Sequence, residues 1–149
     1  MVTMVVTVLG ACGGSATKPP GQSLPAAFPV TVTRTGGIAG FQDVLVVGAD
    51  GLVSVTRKGQ PERRCRLSAA VLARLTSAVS QVPWAQMTPA RTRPSFPDDM
   101  VSTVQTPAGG PVRLEDLVAG RGGQVFPELL NSVNNGQASS GVCAPSRGQ

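Results

Sequence analysis

The side chains that most often carry acid-base chemistry are scarce in this sequence. The chain has 149 residues and contains no His and no Tyr, which excludes Ser-His-Asp catalysis and zinc centres with His ligands. Eight carboxylates remain as candidates. They are Asp43, Asp50, Glu62, Asp98, Asp99, Glu115, Asp116 and Glu128. With so little of the usual machinery, we expect that the protein is not an enzyme.

Two pairs of adjacent carboxylates are the best chemical candidates in the chain. Asp98-Asp99 and Glu115-Asp116 have the residue types that bind a divalent ion or perform glycosidase-type acid and base work. Both pairs also flank predicted turns, where acidic residues are common for structural reasons. We expect the structural role, and therefore no metal and no cofactor.

The first of the three cysteines follows a short apolar run. The run ends in Leu9-Gly10-Ala11-Cys12, which resembles a bacterial lipobox, so the thiol of Cys12 is expected to accept a diacylglycerol group. We interpret residues 1–11 as a lipoprotein signal peptide and residues 12–27, rich in Gly, Pro and Ser, as a flexible tether. The alternative for the apolar run is a short buried strand.

The signal peptide departs from the usual pattern at its start. No Lys or Arg precedes the apolar run, and the run is shorter than a normal secretory signal. We therefore expect that translation starts upstream of Met1. The run is far below the roughly 20 residues that a membrane span needs, so anchoring is expected through acyl chains on the extracytoplasmic face of the cell membrane.

The two other cysteines, Cys65 and Cys143, form an even pair in a chain that is expected to be exported. We predict a disulfide between them that closes a loop of about 80 residues and ties the tail, residues 137–149, back to the domain. Two free thiols or a metal site are the alternatives. The absence of His and of a Cys-x-x-Cys spacing gives a metal site no support.

Residues 28–136 are expected to form a single folded domain, because 41% of the chain is hydrophobic and its length suits one core. Alternating apolar and polar residues, bounded by turn residues, predict about five strands. These are Val30–Arg34, Gln42–Val47, Leu52–Arg57, Met100–Thr106 and Pro111–Leu114. Short links between the first three predict an antiparallel meander.

Two helices are predicted between and after these strands. Ser68 is a suitable N-cap for a first helix, and Pro83 ends that helix near Val82. Pro127 suits the first turn of a second helix, which should stop at Asn134-Asn135-Gly136. The fold class is therefore α+β, with two helices packed on one face of an antiparallel sheet.

The only tryptophan, Trp84, stands at the start of a Pro-rich loop that runs to Asp99 and includes Arg91 and Arg93. Long loops are often functional. We favour a core role for Trp84, as a plug beneath the first helix, over a binding role.

The formal net charge of +5 raises the question of nucleic-acid or membrane binding. The basic residues are scattered, apart from Arg57-Lys58 and Arg63, Arg64 and Arg66 around a predicted turn. No aromatic residues accompany them for base stacking, so we expect no nucleic-acid partner.

Three glycines interrupt the strand pattern between Thr35 and Phe41. Because glycine adopts positive φ freely, this spacing indicates a tight bend, with or without a binding role. The cluster lacks the Gly-Lys-Ser/Thr ending of a phosphate loop. The stretch Arg34-Thr35-Gly36-Gly37-Ile38-Ala39-Gly40 resembles the Arg-x-Gly-Gly-Phe-Ala-Gly signature of the emfourin family, protein inhibitors of thermolysin-like metalloproteases.

The order of features is also similar to that family, with a Leu-rich helix after the signature and a Pro-Asp segment, Pro97-Asp98, before a strand. Ile38 stands where that family has an aromatic residue, and Met100 and Ser102 replace further aromatics. The resemblance covers about residues 30–133 and implies a monomeric protein with a protein partner.

Our first hypothesis is a membrane-anchored, extracytoplasmic binding lipoprotein that inhibits a secreted thermolysin-like metalloprotease. The resemblance implies a partner-binding segment in the bend. Its residues are Arg34, Gly36, Gly37, Ile38, Ala39 and Gly40. The alternative is a non-inhibitory structural or interaction lipoprotein of the cell envelope, which binds a surface protein through the loop around Trp84.

Overall fold

The computed structural model describes residues 27–118, 123–134 and 143–145. Within these ranges, seven strands form one sheet in the order β6-β5-β1-β2-β3-β4-β7, and every neighbouring pair is antiparallel. The strands are β1 Val30–Gly36, β2 Phe41–Val47, β3 Leu52–Arg57, β4 Gln60–Leu67, β5 Met100–Thr106, β6 Gly109–Arg113 and β7 Cys143–Pro145. The helices are α1 Ala69–Gln81, α2 Leu114–Val118 and α3 Val125–Asn134, with a 3₁₀ turn at Trp84–Gln86.

The α+β prediction is confirmed, because an antiparallel sheet packs against helices. The expected number of about five strands is too low. Within the predicted domain, the strand that was not predicted is β4. Its segment was interpreted as part of a basic turn, but only Lys58 and Gly59 form the turn there. From Gln60 to Arg64 every residue of β4 is exposed, so the segment has no apolar alternation to reveal it.

One face of the sheet forms the core. Val32 of β1 lies opposite Leu45 of β2, which lies opposite Val55 of β3, and all three side chains are buried. Helix α1 adds Leu75 and Val79 to the same cluster. Side chains alternate between the two faces of a sheet. This register therefore also determines which residues lie on the core face in the part of the sheet that the helices do not cover.

Helix α1 begins and ends where the sequence predicts. The Ser68 side chain accepts a hydrogen bond from the Val71 N–H, 3.3 Å away, which caps the first turn. Val82 is extended and closes the helix before Pro83. The second predicted helix corresponds to α3, whereas the short helix α2 was not predicted, and it takes Leu114 from the predicted fifth strand.

Candidate functional site

The glycine-rich stretch forms the hairpin that joins β1 to β2. Gly36 lies opposite Phe41, and the four residues between them form the turn. The Gly40 N–H donates to the carbonyl of Gly37 over 2.8 Å, which leaves Ile38 and Ala39 as the central residues. Gly37 and Gly40 both have positive φ, at 70° and 59°. The backbone of this bend therefore depends on glycine.

Gly36 has a second, steric requirement. Its φ is +89°, and a Cβ built there would lie well under 3.0 Å from the carbonyl oxygen of Asp99. The same oxygen accepts a hydrogen bond from the Gly37 N–H at 2.7 Å. The loop that precedes β5 is thus clamped against the base of the hairpin, and only glycine allows this approach.

Arg34 supports the hairpin from the core face of the sheet. It lies opposite Asp43, whose carboxylate oxygen Oδ2 accepts from both Nε, at 3.0 Å, and Nη2 of the guanidinium. The guanidinium also stacks over the ring of Phe41, 4.2 Å from its centroid. Arg34 was predicted to contact a partner, and the structure places its guanidinium between Asp43 and Phe41, where it orients the ring.

The exposed large apolar side chains of the described residues gather around this hairpin. We call the group the apolar tip. Its members, with their exposed fractions, are Ile38 (96%), Phe96 (67%), Met100 (50%) and Phe41 (37%). Met100 lies opposite Gly36 across the β1–β5 pair, and the position of a Cβ on Gly37 would be 3.5 Å from the Phe41 ring. A cluster of exposed apolar groups on a rigid element is typical of an interaction surface.

Phe96 reaches this end of the sheet through the loop before β5. The backbone carbonyl of Phe96 accepts from the Asp99 N–H at 3.1 Å, and the Asp99 carboxylate accepts from the N–H groups of Ser95 and Phe96 at 3.2 and 3.1 Å. This carboxylate therefore holds the loop in shape. Thr35 strengthens the attachment by donating from its hydroxyl to the carbonyl of Thr92 over 2.9 Å.

Sequence reasoning located the turn but missed most of the apolar tip. Ile38, with Ala39 and the glycines, was in the predicted segment, whereas Phe41, Phe96 and Met100 were not assigned to the site. A four-residue turn fixes the hairpin register, so the pairing of Arg34 with Asp43 was accessible from sequence. The contribution of Met100 depends on the β1–β5 pairing, which no local pattern encodes.

The acidic pair Glu115-Asp116 has a structural position in a helix. Glu115 and Asp116 lie in the first turn of α2, where negative charge suits the helix N-terminus. Among the described residues, no group of three or more metal-ligating side chains is brought together.

A shifted carboxyl group lies at the other end of the sheet. The pKa of Asp50 is below its ordinary value of 3.8, chiefly because its carboxylate accepts a hydrogen bond from the Leu52 N–H, with a further contribution from Arg66. The pKa of the Arg64 guanidinium is raised by its hydrogen bond to Glu62. Both groups stabilise turns and strand surfaces, and neither lies in the apolar tip.

Trp84 has the predicted core position. It is 6% exposed, and its Nε1–H donates to the carbonyl of Val79 at 2.8 Å, beneath the end of α1. The indole is therefore not a contact for a partner. Arg91 and Arg93, farther along the same loop, are exposed.

The two predicted disulfide cysteines lie in neighbouring strands. β7 pairs with β4 so that Cys143 lies opposite Leu67 and Pro145 lies opposite Cys65. The cysteines are thus diagonal neighbours in adjacent strands, whose Cα atoms are about 7–8 Å apart in a regular antiparallel pair, slightly more than the roughly 4.4–6.8 Å that most disulfides span. The pairing of Cys65 with Cys143 stays a prediction.

The predicted lipidation site, Cys12, lies outside the described residues, as do the predicted signal peptide, the tether up to residue 26 and the greater part of the tail, 137–142 and 146–149. Within the described ranges, no helix combines the length and the apolar character that crossing a membrane requires.

In comparisons with known proteins, no family model, no curated protein and no solved structure matches this chain.

Proposed function

We propose that the chain is a protein-binding module that acts through its apolar tip and inhibits a thermolysin-like metalloprotease. The observation that carries the proposal is the concentration of exposed apolar side chains on the hairpin and on the loop and strand β5 that are clamped against it. Binding energy in protein interfaces comes mostly from a few apolar or aromatic anchors that are held rigidly, because little conformational entropy is then lost on binding. Ile38, Phe41 and Met100 have these properties.

Ile38 is the proposed principal anchor. It is the most exposed member of the apolar tip, at 96%, and it stands on a turn whose ends are fixed by Gly37 and Gly40. In the resemblance to the emfourin signature, Ile38 takes the place of the aromatic residue. A branched apolar side chain on a protruding turn suits the apolar pocket of a protease cleft.

We further propose that the protein is a monomeric lipoprotein on the extracytoplasmic face of the cell membrane, attached through Cys12. The lipobox-like sequence before Cys12 supports the anchor. Labelling with a fatty-acid analogue tests it, because the label should be lost in Cys12→Ala and retained in Cys65→Ala. Label that persists in Cys12→Ala would contradict the anchor without touching the binding proposal.

Residual activity of a thermolysin-like metalloprotease, measured against increasing amounts of the full chain, tests the inhibitory function. We expect activity to fall as the chain approaches an equimolar ratio. Undiminished activity at a large excess would contradict inhibition and favour the non-inhibitory envelope protein. Crosslinking followed by pull-down from envelope extracts then separates the two, since a protease should dominate the captured proteins only under the first proposal.

A further inference from the structure

A cationic cleft lies beside the apolar tip, and its lining comes from four neighbouring strand ends and turns. Three successive strands contribute one residue each at the same level of the sheet, on the face that carries the core: Arg34, Asp43 and Arg57. On the next strand, Gln60 lies opposite Arg57. The lining is completed by Ala39, Gly40, Phe41, Gln42 and Lys58. The cleft has a volume of about 440 Å³, which is room for a side chain of a docking protein.

The lining of the cleft holds three cations, Arg34, Arg57 and Lys58, and one carboxylate, Asp43. Asp43 is 6% exposed and is engaged by Arg34. Lys58 is exposed, and among the residues that the structure describes it forms no ion pair. Its ammonium group is therefore available to a ligand.

Lys58 is fixed next to the hairpin. Its backbone N–H donates to the carbonyl of Gln42 over 3.1 Å, which ties the β3–β4 turn to the start of β2. Its Nζ lies 3.7 Å from the position that a Cβ on Gly40 would occupy. The ammonium therefore stands at the foot of the turn whose apex is Ile38, and a protein that covers Ile38 also covers the cleft.

We propose that the cationic cleft receives a carboxylate, an Asp or Glu side chain of the protein partner, when the hairpin docks. The inference rests on the proposed function, because it assigns the partner a surface with an apolar pocket and an acidic group next to it. A carboxylate can pair with the ammonium of Lys58 and accept hydrogen bonds from it. Complementary charge of this kind favours the correct partner and increases the association rate.

The experiment uses a probe that does not depend on the identity of the partner. A hexaglutamate peptide is titrated into the isotope-labelled full chain, and backbone amide shifts are followed by NMR. We expect saturable shifts at Gly40, Gln42 and Lys58, and none with a neutral Gly-Ser peptide of the same length. Binding should be about fivefold weaker in Lys58→Gln. Arg64→Gln, which removes the same charge from an exposed site on β4, should bind like the wild type.

Two results would overturn the proposal: shifts spread evenly over all basic surfaces, or equal weakening in Lys58→Gln and Arg64→Gln. A titration with inorganic phosphate provides a further discriminating result, since tighter binding of phosphate than of hexaglutamate at the same residues would assign the cleft to a phosphorylated ligand and contradict a carboxylate. The protease assay is independent of all these outcomes. Hexaglutamate binding without protease inhibition would refute the proposed target and retain the cleft.

Discussion

Gly36 and Asp99 lie in such close contact that a Cβ on Gly36 would overlap the Asp99 carbonyl oxygen. This contact attaches the loop before β5 to the base of the β1–β2 hairpin, and the adjacent hydrogen bond from the Gly37 N–H keeps it in place. The apolar tip is assembled from two segments that are distant in sequence, and this is the point where they meet.

We predict that Gly36→Ala lowers the free energy of unfolding by about 3 kcal/mol, since the substitution adds a backbone clash to the strain of a positive φ. Gly59→Ala is the matched control, because Gly59 also has positive φ, at 70°, but nothing lies within 4 Å of an added Cβ. It should cost about 1 kcal/mol from strain alone. Urea denaturation measures both values, and equal losses would show that the contact with Asp99 is unimportant.

The ion pair between Arg34 and Asp43 is predicted to stabilise the hairpin. Arg34→Met should lower the free energy of unfolding by about 2 kcal/mol, because it leaves a buried carboxylate with one fewer partner. Arg34→Lys should restore only part of this loss, since Lys makes neither the two hydrogen bonds nor the flat stack on Phe41.

A double-mutant cycle of Arg34→Met with Asp43→Asn, read by chemical denaturation, measures the coupling energy directly. We expect about 1 to 2 kcal/mol. The exposed pair of Arg64 with Glu62 provides the comparison and should show a much smaller coupling, because solvent screens it. A coupling near zero for Arg34 and Asp43 would contradict their role in positioning Phe41.

The predicted Cys65–Cys143 disulfide should change the mass of the chain on reduction, and its removal should lower the stability. Intact mass of the purified chain should increase by two hydrogens on reduction, and Cys143→Ser should lower the free energy of unfolding by about 4 kcal/mol, the value for a loop of about 80 residues. A mass that reductant leaves unchanged would refute the bond. Both the mass and the stability are measured in chains that also carry Cys12→Ala, so that Cys12 affects neither value.

From the lowered pKa of Asp50 we expect a specific pH dependence of stability. Its folded-state pKa lies below 3.8, mainly because of the hydrogen bond from the Leu52 N–H, so the carboxylate stabilises the fold above the unfolded-state pKa and loses this effect as the pH falls through the folded-state value. The wild type should therefore be more stable than Asp50→Asn at neutral pH. Denaturation midpoints of the two chains should converge as the pH falls below the folded-state pKa of Asp50, and a difference that grows on acidification would contradict the assignment.

Local patterns in the sequence predict the parts of the fold whose side chains alternate or recur with helical period. Val30 and Val32 mark β1, and Ser68 marks the start of α1, because burial on one face demands these patterns. The strand β4 lacks them. Its backbone pairs with β3 while the side chains from Gln60 to Arg64 remain in solvent, so tertiary pairing and not residue preference makes it a strand.

The same distinction applies to the candidate site. The spacing of the glycines locates the turn, because positions with positive φ favour glycine and can therefore be recognised in the local sequence. The neighbours of the turn depend on β1 lying between β2 and β5, a non-local pairing that brings Met100 to Gly36. The cationic cleft likewise requires Lys58 to lie beside Gly40, which follows from the order of three strands and not from any motif.

Inhibition of a thermolysin-like metalloprotease by the wild type, Ile38→Asp and Ala108→Asp is the decisive measurement for the proposed function. Ala108 is the control because it is exposed in the β5–β6 turn, at the opposite end of the sheet. We expect the wild type and Ala108→Asp to inhibit equally. The inhibition constant of Ile38→Asp should be weaker by about 100-fold, since a charge would replace the anchor in an apolar pocket. Equal inhibition by all three chains would contradict the role of Ile38 as the anchor, and no inhibition by the wild type would contradict the proposed target.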